Sequence, residues 1–420
     1  MIFTDPLPQP DPLRARLRAH YRADEAGVVE TLLAQAELPP ATQDRIAARA
    51  RALVEKVREN RVGQGGIDAF MHAYELSSKE GVVLMCLAEA LLRIPDSETA
   101  NMLIKDKLRD ADFERHLGES DSMFVNASTW ALMLTGRIMQ MDATSSDLKG
   151  ILKRLITRSG EPVIRQAVTQ AMKILGRQFV MGRDIGEALD RAQAMERKGY
   201  RYSYDMLGEA ARTARDAERY FESYQRAIAA IGKAAAGRGP IQSPGISVKL
   251  SALHPRYEMA QRHRVMNELV PRLIELGKAA KASDIGFTID AEEAERLDIS
   301  LDVIEGVSAS PALAGWNGLG LAIQGYQKRC LPLIDWLADL ARRHRRRLMV
   351  RLVKGAYWDS EIKMSQERGL SGYPVFTRKA TTDVSYLACA RRLLADPAAF
   401  YPQFATHNAH SLSAIIEMAG

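Results

Sequence analysis

The sequence predicts an α/β protein in which an all-helical N-terminal region precedes a parallel (β/α) barrel, and three observations carry that prediction. Five segments alternate apolar and polar residues and finish on polar side chains that face the same way, at Lys249, Asp290, Gln324, Arg351 and His407. The intervals between them, 41, 34, 27 and 56 residues, each accommodate a loop, a helix and a return, which is the crossover that parallel strands need. Upstream, residues 13–59 are rich in Ala, Arg, Leu and Glu with apolar residues three and four apart, the spacing of amphipathic helices that pack on something else.

The elements follow in chain order. Residues 1–12 hold four prolines and no periodicity, so they read as a loose lead into a helical arm at 1–62. Helical spacing resumes over 67–95, where Ser-Ser-Lys-Glu at 77–80 precedes Val-Val-Leu-Met-Cys-Leu as a capping box opens a helix. Further helices are expected to about residue 195, giving a helical domain at 63–196. The composition shifts at 199–205, Gly-Tyr-Arg-Tyr-Ser-Tyr-Asp, whose alternating aromatics suit a half-buried first strand and open a barrel domain at 197–420. A helix over 210–236 and a turn-rich stretch at 237–245 lead to the second strand. There Ile246, Val248 and Leu250 share one face while Ser247, Lys249 and Ser251 take the other. The remaining polar-ended segments become strands three to six, and in such a barrel the chemistry sits at the C-terminal strand ends.

Bulk properties narrow the function classes. With 420 residues, 46% hydrophobic and 26% charged, the chain is an ordinary globular protein of two or three domains. The net charge of +6, from 58 basic and 52 acidic residues, tolerates anionic ligands without demanding nucleic acid. Cys86, Cys330 and Cys389 follow no metal or disulfide spacing, which points to a reducing compartment and away from zinc or iron–sulfur centres. The longest uncharged apolar run, at 82–88, reaches about a third of a membrane span, and the N-terminus has no basic leader region. The expected location is the cytoplasm, at most peripheral to a membrane.

Each candidate residue has a functional and a bland reading. Lys249 in a buried strand calls for an anion, or else is a lysine at a solvated strand end. Asp290 at the mirror position of the next strand is a partner for it, or a helix N-cap before Ala-Glu-Glu. The segment Arg351-Leu-Val-Lys-Gly-Ala-Tyr-Trp358 runs a strand into a glycine turn, where backbone N–H groups and two cations can cradle a phosphate. Tyr357 and Trp358 add flat surfaces for a planar ring, or are simply core. Thr406, His407 and Asn408 offer groups suited to phosphate or ribose oxygens, whereas His407 with His410 is poor zinc spacing. The run Arg-Arg-His-Arg-Arg-Arg at 342–347 is expected to be a solvated helix end rather than a nucleic-acid patch.

Several of these stretches carry a family resemblance. Gly-Ile-Ser-Val-Lys-Leu-Ser-Ala-Leu-His-Pro-Arg-Tyr-Glu at 245–258, Val-Arg-Leu-Val-Lys-Gly-Ala-Tyr-Trp-Asp-Ser-Glu-Ile-Lys at 350–363 and Tyr-Pro-Gln-Phe-Ala-Thr-His-Asn-Ala-His at 401–410 resemble the proline dehydrogenase half of the bacterial bifunctional flavoenzyme proline utilization A. The likeness extends to 76–96 in the helical region and to Tyr-Asp-Met-Leu-Gly-Glu-Ala-Ala at 204–211, and so takes in most of the chain from about residue 65. It implies a (βα)8 TIM-type barrel that binds FAD, oxidises L-proline to Δ1-pyrroline-5-carboxylate by hydride transfer to flavin N5, and passes electrons to a membrane quinone. By resemblance, Lys249 binds the proline carboxylate, Asp290 orients the substrate's surroundings, and Arg351 lies against the flavin near N5. Tyr357 packs on the proline ring and Trp358 on the flavin. Gln324, Val353, Lys354, Gly355, Ala356, Thr377, Thr406, His407 and Asn408 contact the cofactor, and Glu209 closes over the substrate by pairing with an arginine.

The family's two C-terminal strands, and the helix carrying that arginine, have no counterpart before Gly420. The resemblance therefore implies a bifunctional enzyme truncated inside its first catalytic domain, with the aldehyde dehydrogenase domain expected in the full-length protein. By the same resemblance, a member without the N-terminal ribbon-helix-helix module of some relatives is expected. Alternatives are an inactive folding or dimerisation fragment of that enzyme and another flavin-dependent amine-oxidising barrel. A homodimer through the helical arm stays open.

Overall fold

The computed structural model describes residues 9, 11–60, 180–208 and 210–420. The helical readings over 61–179, the capping box at 77–80 included, and Glu209 lie outside the described residues. The chain divides into two compact units, one formed by Met1–Glu59 with Leu189–Gly420 and the other by Asn60–Ala188.

The larger unit holds a curled sheet of six strands, β1 (Ser203–Asp205), β2 (Gly245–Val248), β3 (Phe287–Ile289), β4 (Leu319–Gln324), β5 (Leu348–Val353) and β6 (Phe400–Phe404), ordered sequentially. Every neighbouring pair is parallel, as six strands of a (βα) barrel require. The first strand is shorter than the seven residues expected, because pairing with β2 begins only at Ser203. The outward residues Ile246, Val248, Phe287, Ile289, Leu321, Ile323, Val350 and Leu352 are 2% exposed or less, since crossover helices cover them.

Between Ile185 and Leu394 lie seven helices of ten residues or more: α4 (Ile185–Glu196), α5 (Ala214–Ala235), α6 (Val270–Ala282), α7 (Leu297–Ser308), α8 (Cys330–Arg343), α9 (Trp358–Glu367) and α10 (Lys379–Leu394). The first of these, α4, straddles the boundary between the two units. Helix α5 begins in a reciprocal capping box. The Thr213 hydroxyl accepts from the Asp216 N–H at 3.1 Å, and the Asp216 carboxylate accepts from the Thr213 N–H at 3.0 Å. Its buried stripe, Ala217, Phe221, Tyr224, Ala227, Ile228 and Ile231, recurs at helical spacing and faces the sheet and α6. The interior of the barrel is narrow near β4, where a side chain on Gly320 would lie 2.2 Å from the Met349 carbonyl oxygen. Only glycine lets the two strands pair there.

The arginine run is a solvated helix end at Arg342 and Arg343, which close α8 with exposed side chains, but not at Arg346, which is buried. Arg342 pairs with Asp396 at 2.6 Å, and Arg343 pairs with Asp339 and Glu305, both at 2.6 Å. Arg346 is buried and donates to the carbonyls of Ser308 and Leu313 at 3.0 and 2.6 Å, and Arg347 donates to the Phe400 carbonyl at 2.9 Å. Arg346 and Arg347 thus satisfy carbonyls left open by neighbouring helix and strand ends, while Arg342 and Arg343 make exposed ion pairs.

Three arm helices, α1 (Pro12–Ala19), α2 (Glu25–Ala36) and α3 (Pro40–Glu59), lie against α8, α10 and α11 (Ala409–Ala419) respectively. Asp11 caps α1 through the Arg14 N–H, and Asp24 caps α2 through Gly27. Arg14 is buried, donating to Asp302 at 2.9 Å and to the carboxylate and carbonyl of Asp298 at 3.2 and 2.9 Å, with its guanidinium 5.2 Å over the Trp336 ring. Arg18, Arg329 and Arg262 complete the neutralisation of the same two aspartates. At the far end, Arg45 and Arg49 grip Glu417 of α11, each at 2.8 Å.

Replacing Arg14 by alanine should lower stability by about 2 kcal/mol, less than for an isolated buried pair because Arg18, Arg329 and Arg262 remain. A urea-unfolding midpoint equal to that of the unaltered protein would refute the latch. The two arginines hold the Glu417 carboxyl below its ordinary value of 4.5 through hydrogen bonds first and charge second. Its contribution is therefore in force above pH 4.5 and is lost as pH falls through the lower folded value. Amide exchange in α3 should accelerate relative to the barrel strands between pH 5 and pH 3, and equal acceleration in both would count against the grip.

Candidate active site

Strand register builds the site. Asp205 pairs with Ser247, Ser247 with Thr288, and Ala322 with Arg351, which pairs in turn with Gln403. Paired residues in a parallel sheet point the same way, so these polar side chains line the interior while the apolar ones face the helices. Lys249 and Asp290 continue β2 and β3 by one residue each, and the Asp290 N–H still donates to the Val248 carbonyl at 2.9 Å. The Tyr224 hydroxyl of α5 accepts from the Lys249 N–H at 3.2 Å and fixes where β2 ends.

Lys249, Asp290 and Arg351 come together. The Lys249 ammonium donates to Asp290 at 3.0 Å and to Asp205 at 3.0 Å. Arg351 crosses the interior, donating to Ser247 at 2.8 Å, Ser203 at 2.7 Å and Gln403 at 3.3 Å, with the Asp290 carboxylate at 3.6 Å. Two cations and two carboxylates thereby balance. Burial alone would push the Lys249 ammonium down, but Asp290 and Asp205 outweigh it and hold it above its usual range. Burial dominates at Asp290 and raises its carboxyl despite Lys249. Asp290 does not cap a helix: the next helical turn, Ala294–Arg296, begins after Glu293.

The other expected residues are spread around the rim. Gln324 faces inward but is buried, its amide donating to the Glu292 carbonyl at 3.2 Å and accepting from Gln327 at 2.6 Å. Val353 ends β5, and Lys354 pairs with Asp383 at 2.5 Å. Gly355 turns the chain with φ of 135°, where any side chain would strike the Tyr326 ring at 2.5 Å. Ala356 is exposed beyond it, and Tyr357 leads into α9. The Trp358 indole donates to the Phe376 carbonyl at 2.8 Å and leaves its ring 40% exposed. Thr377 is exposed and is held by Glu25 of the arm. Thr406 and Asn408 form the turn into α11, where Asn408 is the N-cap, and His407 is exposed in that loop, three residues past β6.

Sequence reasoning missed Asp205, Ser203, Ser247 and Gln403. All four sit on the polar face of alternating segments, and Asp205 closes the aromatic strand as Asp290 closes its own, so the same rule applied to the first strand would have found it.

Comparison with known proteins places the chain. Residues 188–420 match the family model described as proline dehydrogenase. The chain belongs to the proline dehydrogenase family. Residues 66–179 match a model described as the DNA-binding domain of proline dehydrogenase, and 11–58 one described as the proline utilization A proline dehydrogenase N-terminal domain. The bifunctional protein PutA of Klebsiella aerogenes is 56% identical over 410 residues, covering 97% of this chain and 31% of that protein. The bifunctional protein PutA of Rhizobium meliloti is 49% identical over 418 residues, 100% of this chain and 34% of that protein. The chain thus spans about a third of the length of these family members. A crystal structure of a Bradyrhizobium japonicum proline utilization A mutant superposes with a TM-score of 0.71 at 50% identity, over 99% of this chain and 40% of that one. The barrel expected from the strand pattern is the family's fold.

Lys249→Met leaves Asp290 beside Asp205 with only the more distant Arg351 for compensation. The Asp290 carboxyl should rise further, and carbon-13 titration of the aspartate carboxyls would register it; an unmoved Asp290 would show that Lys249 does not set its ionisation.

Proposed function

We propose that this chain carries the FAD-dependent oxidation of L-proline to Δ1-pyrroline-5-carboxylate. The observation that supports it best is the balanced cluster of Lys249, Asp290, Asp205 and Arg351 in the barrel interior, beside the Gly355 turn, in a chain of the proline dehydrogenase family. An ammonium shared between two carboxylates can exchange the more exposed one, Asp205, for a substrate carboxylate while Asp290 keeps it charged and solvent takes up the released Asp205. Lys249 is therefore the group that binds the proline carboxylate, and Asp290 holds its ammonium in place.

The residues around the turn fit a flavin. Gly355 brings backbone close to the Tyr326 ring, Lys354 and Arg351 supply cations, and the Trp358 ring presents a flat, part-exposed face. Gln324, Val353, Lys354, Gly355, Ala356, Trp358, Thr377, Thr406, His407 and Asn408 are the residues that would hold FAD. When bound, the flavin would supply the two-electron oxidation by accepting hydride from the ring carbon beside the proline nitrogen. Arg351, fixed by Ser203, Ser247 and Gln403, keeps a positive charge where negative charge develops, without reorganising during reaction. Tyr357 would pack against the proline ring, and Glu209 would close over it.

A membrane quinone as electron acceptor and an aldehyde dehydrogenase domain acting on the product complete the reading, which also leaves room for a homodimer through the arm. Among the described residues no helix is long and apolar enough to cross a membrane, so contact with a quinone would be made from the membrane surface.

The deciding measurement is the anaerobic visible spectrum of the purified protein before and after L-proline. Flavin absorbance that bleaches on addition is the expected outcome. Flavin that persists with proline would refute proline oxidation by this chain and favour the inactive-fragment reading, and protein that takes up no flavin would show that these residues do not complete a flavin site.

A further inference from the structure

Segment 374–377, between α9 and α10, is held backbone group by backbone group from three directions. The Pro374 carbonyl accepts from the Lys328 N–H at 3.2 Å, Val375 forms an antiparallel bridge with Gln327, and the Phe376 N–H donates to the Tyr326 carbonyl at 2.8 Å. The Phe376 carbonyl accepts from the Trp358 indole at 2.8 Å. The next amide, that of Thr377, is claimed by the arm. Both carboxylate oxygens of Glu25 lie 3.1 Å from the Thr377 nitrogen, and one lies 3.2 Å from its hydroxyl.

The arm holds this segment by more than one contact. Phe376 is fully buried against Leu32, with Val28 and Val29 of the same helix and Ala388 of α10 around it. The Lys328 ammonium donates to the Ala23 carbonyl at 2.9 Å, and the Arg329 guanidinium stacks 4.2 Å over the Tyr21 ring. Glu25 stands at the first position of α2 behind the Asp24 cap, where the helix dipole favours its negative charge. A carboxylate so placed accepts two charge-assisted hydrogen bonds with little conformational freedom to lose.

We propose that Glu25 is a positioning residue for the cofactor rim: by gripping Thr377 it fixes both that hydroxyl and, through the Phe376 carbonyl, the plane of the Trp358 indole, so the arm determines how firmly flavin is retained. This rests on the flavin reading given above. The arm is then part of the site although, among the described residues, no arm side chain bonds to the barrel interior cluster, and a contact 352 residues long in sequence couples the N-terminal helices to cofactor affinity.

The test uses Glu25→Ala and Glu25→Gln in the flavin-loaded protein. The alanine variant should release flavin about tenfold faster on dilution, the consequence of losing charge-assisted hydrogen bonds, read as recovery of free-flavin fluorescence. Amide exchange at Thr377 should accelerate while β4 and β5 keep their protection. Glu25→Gln, which retains an oxygen acceptor for the Thr377 N–H, should recover a large part of the retention. Unchanged flavin release in Glu25→Ala, with Thr377 exchange accelerated, would overturn the inference and leave the flavin reading intact. Unaltered protein that takes up no flavin would overturn the flavin reading and, with it, this one. Equal acceleration of exchange throughout the barrel would overturn it too, marking Glu25 as a general stabiliser.

Discussion

The Lys249–Asp290 ion pair, 3.0 Å across the ends of β2 and β3, is the contact around which the rest of the interior is arranged. Parallel register puts every second residue inside the barrel, and covering helices take most of the apolar ones, so the interior is largely polar, with Ala322, Met349 and Val353 among the exceptions. Charges there must cancel locally or not ionise. Asp205 and Arg351 extend the pair into a set of two cations and two carboxylates, and serines and a glutamine satisfy the remaining guanidinium donors. The arrangement is compact because β2 to β5 stay in register for the whole length of the rung, and Gly320 allows that by carrying no side chain.

Much of this was readable from alternation alone. The strands announce themselves because one face must be greasy, and Lys249, Asp290 and Arg351 stand out because a charge on the opposite face of such a segment needs a partner. What alternation could not supply is which partner. Arg351 reaches Ser203 and Ser247, 148 and 104 residues away, and only the curl of the sheet makes them neighbours. Gln324 obeys the inward rule yet spends its amide on Glu292 and Gln327, since the loop after β3 folds back over it. His407 follows the end of its strand rather than ending it, because β6 stops at Phe404 and the next residues turn to cap α11.

The arginine run shows the same limit from another side. Composition reads six basic residues in a row as solvated charge, which holds for Arg342, Arg343 and Arg345, whereas Arg346 and Arg347 close carbonyls at helix and strand ends. Arginine suits that task because its planar fork reaches several acceptors at once. The arm uses the same chemistry, with Arg14, Arg18, Arg45 and Arg49 each aimed at an acidic residue of a barrel helix. Among the described residues, these arginines tie the arm and the helix ends to the barrel.

That the arm closes on α11 has a consequence for biosynthesis. Arg45 and Arg49 precede their common partner Glu417 by 372 and 368 residues. At synthesis rates of about 5–20 residues per second, the two arginines leave the ribosome on the order of 20 to 70 s before the carboxylate they bind. Through that interval α3 has no α11 to lie against. An early part of the chain therefore waits for a partner made several hundred residues later, and its protection in that interval falls to its own charged face or to a chaperone.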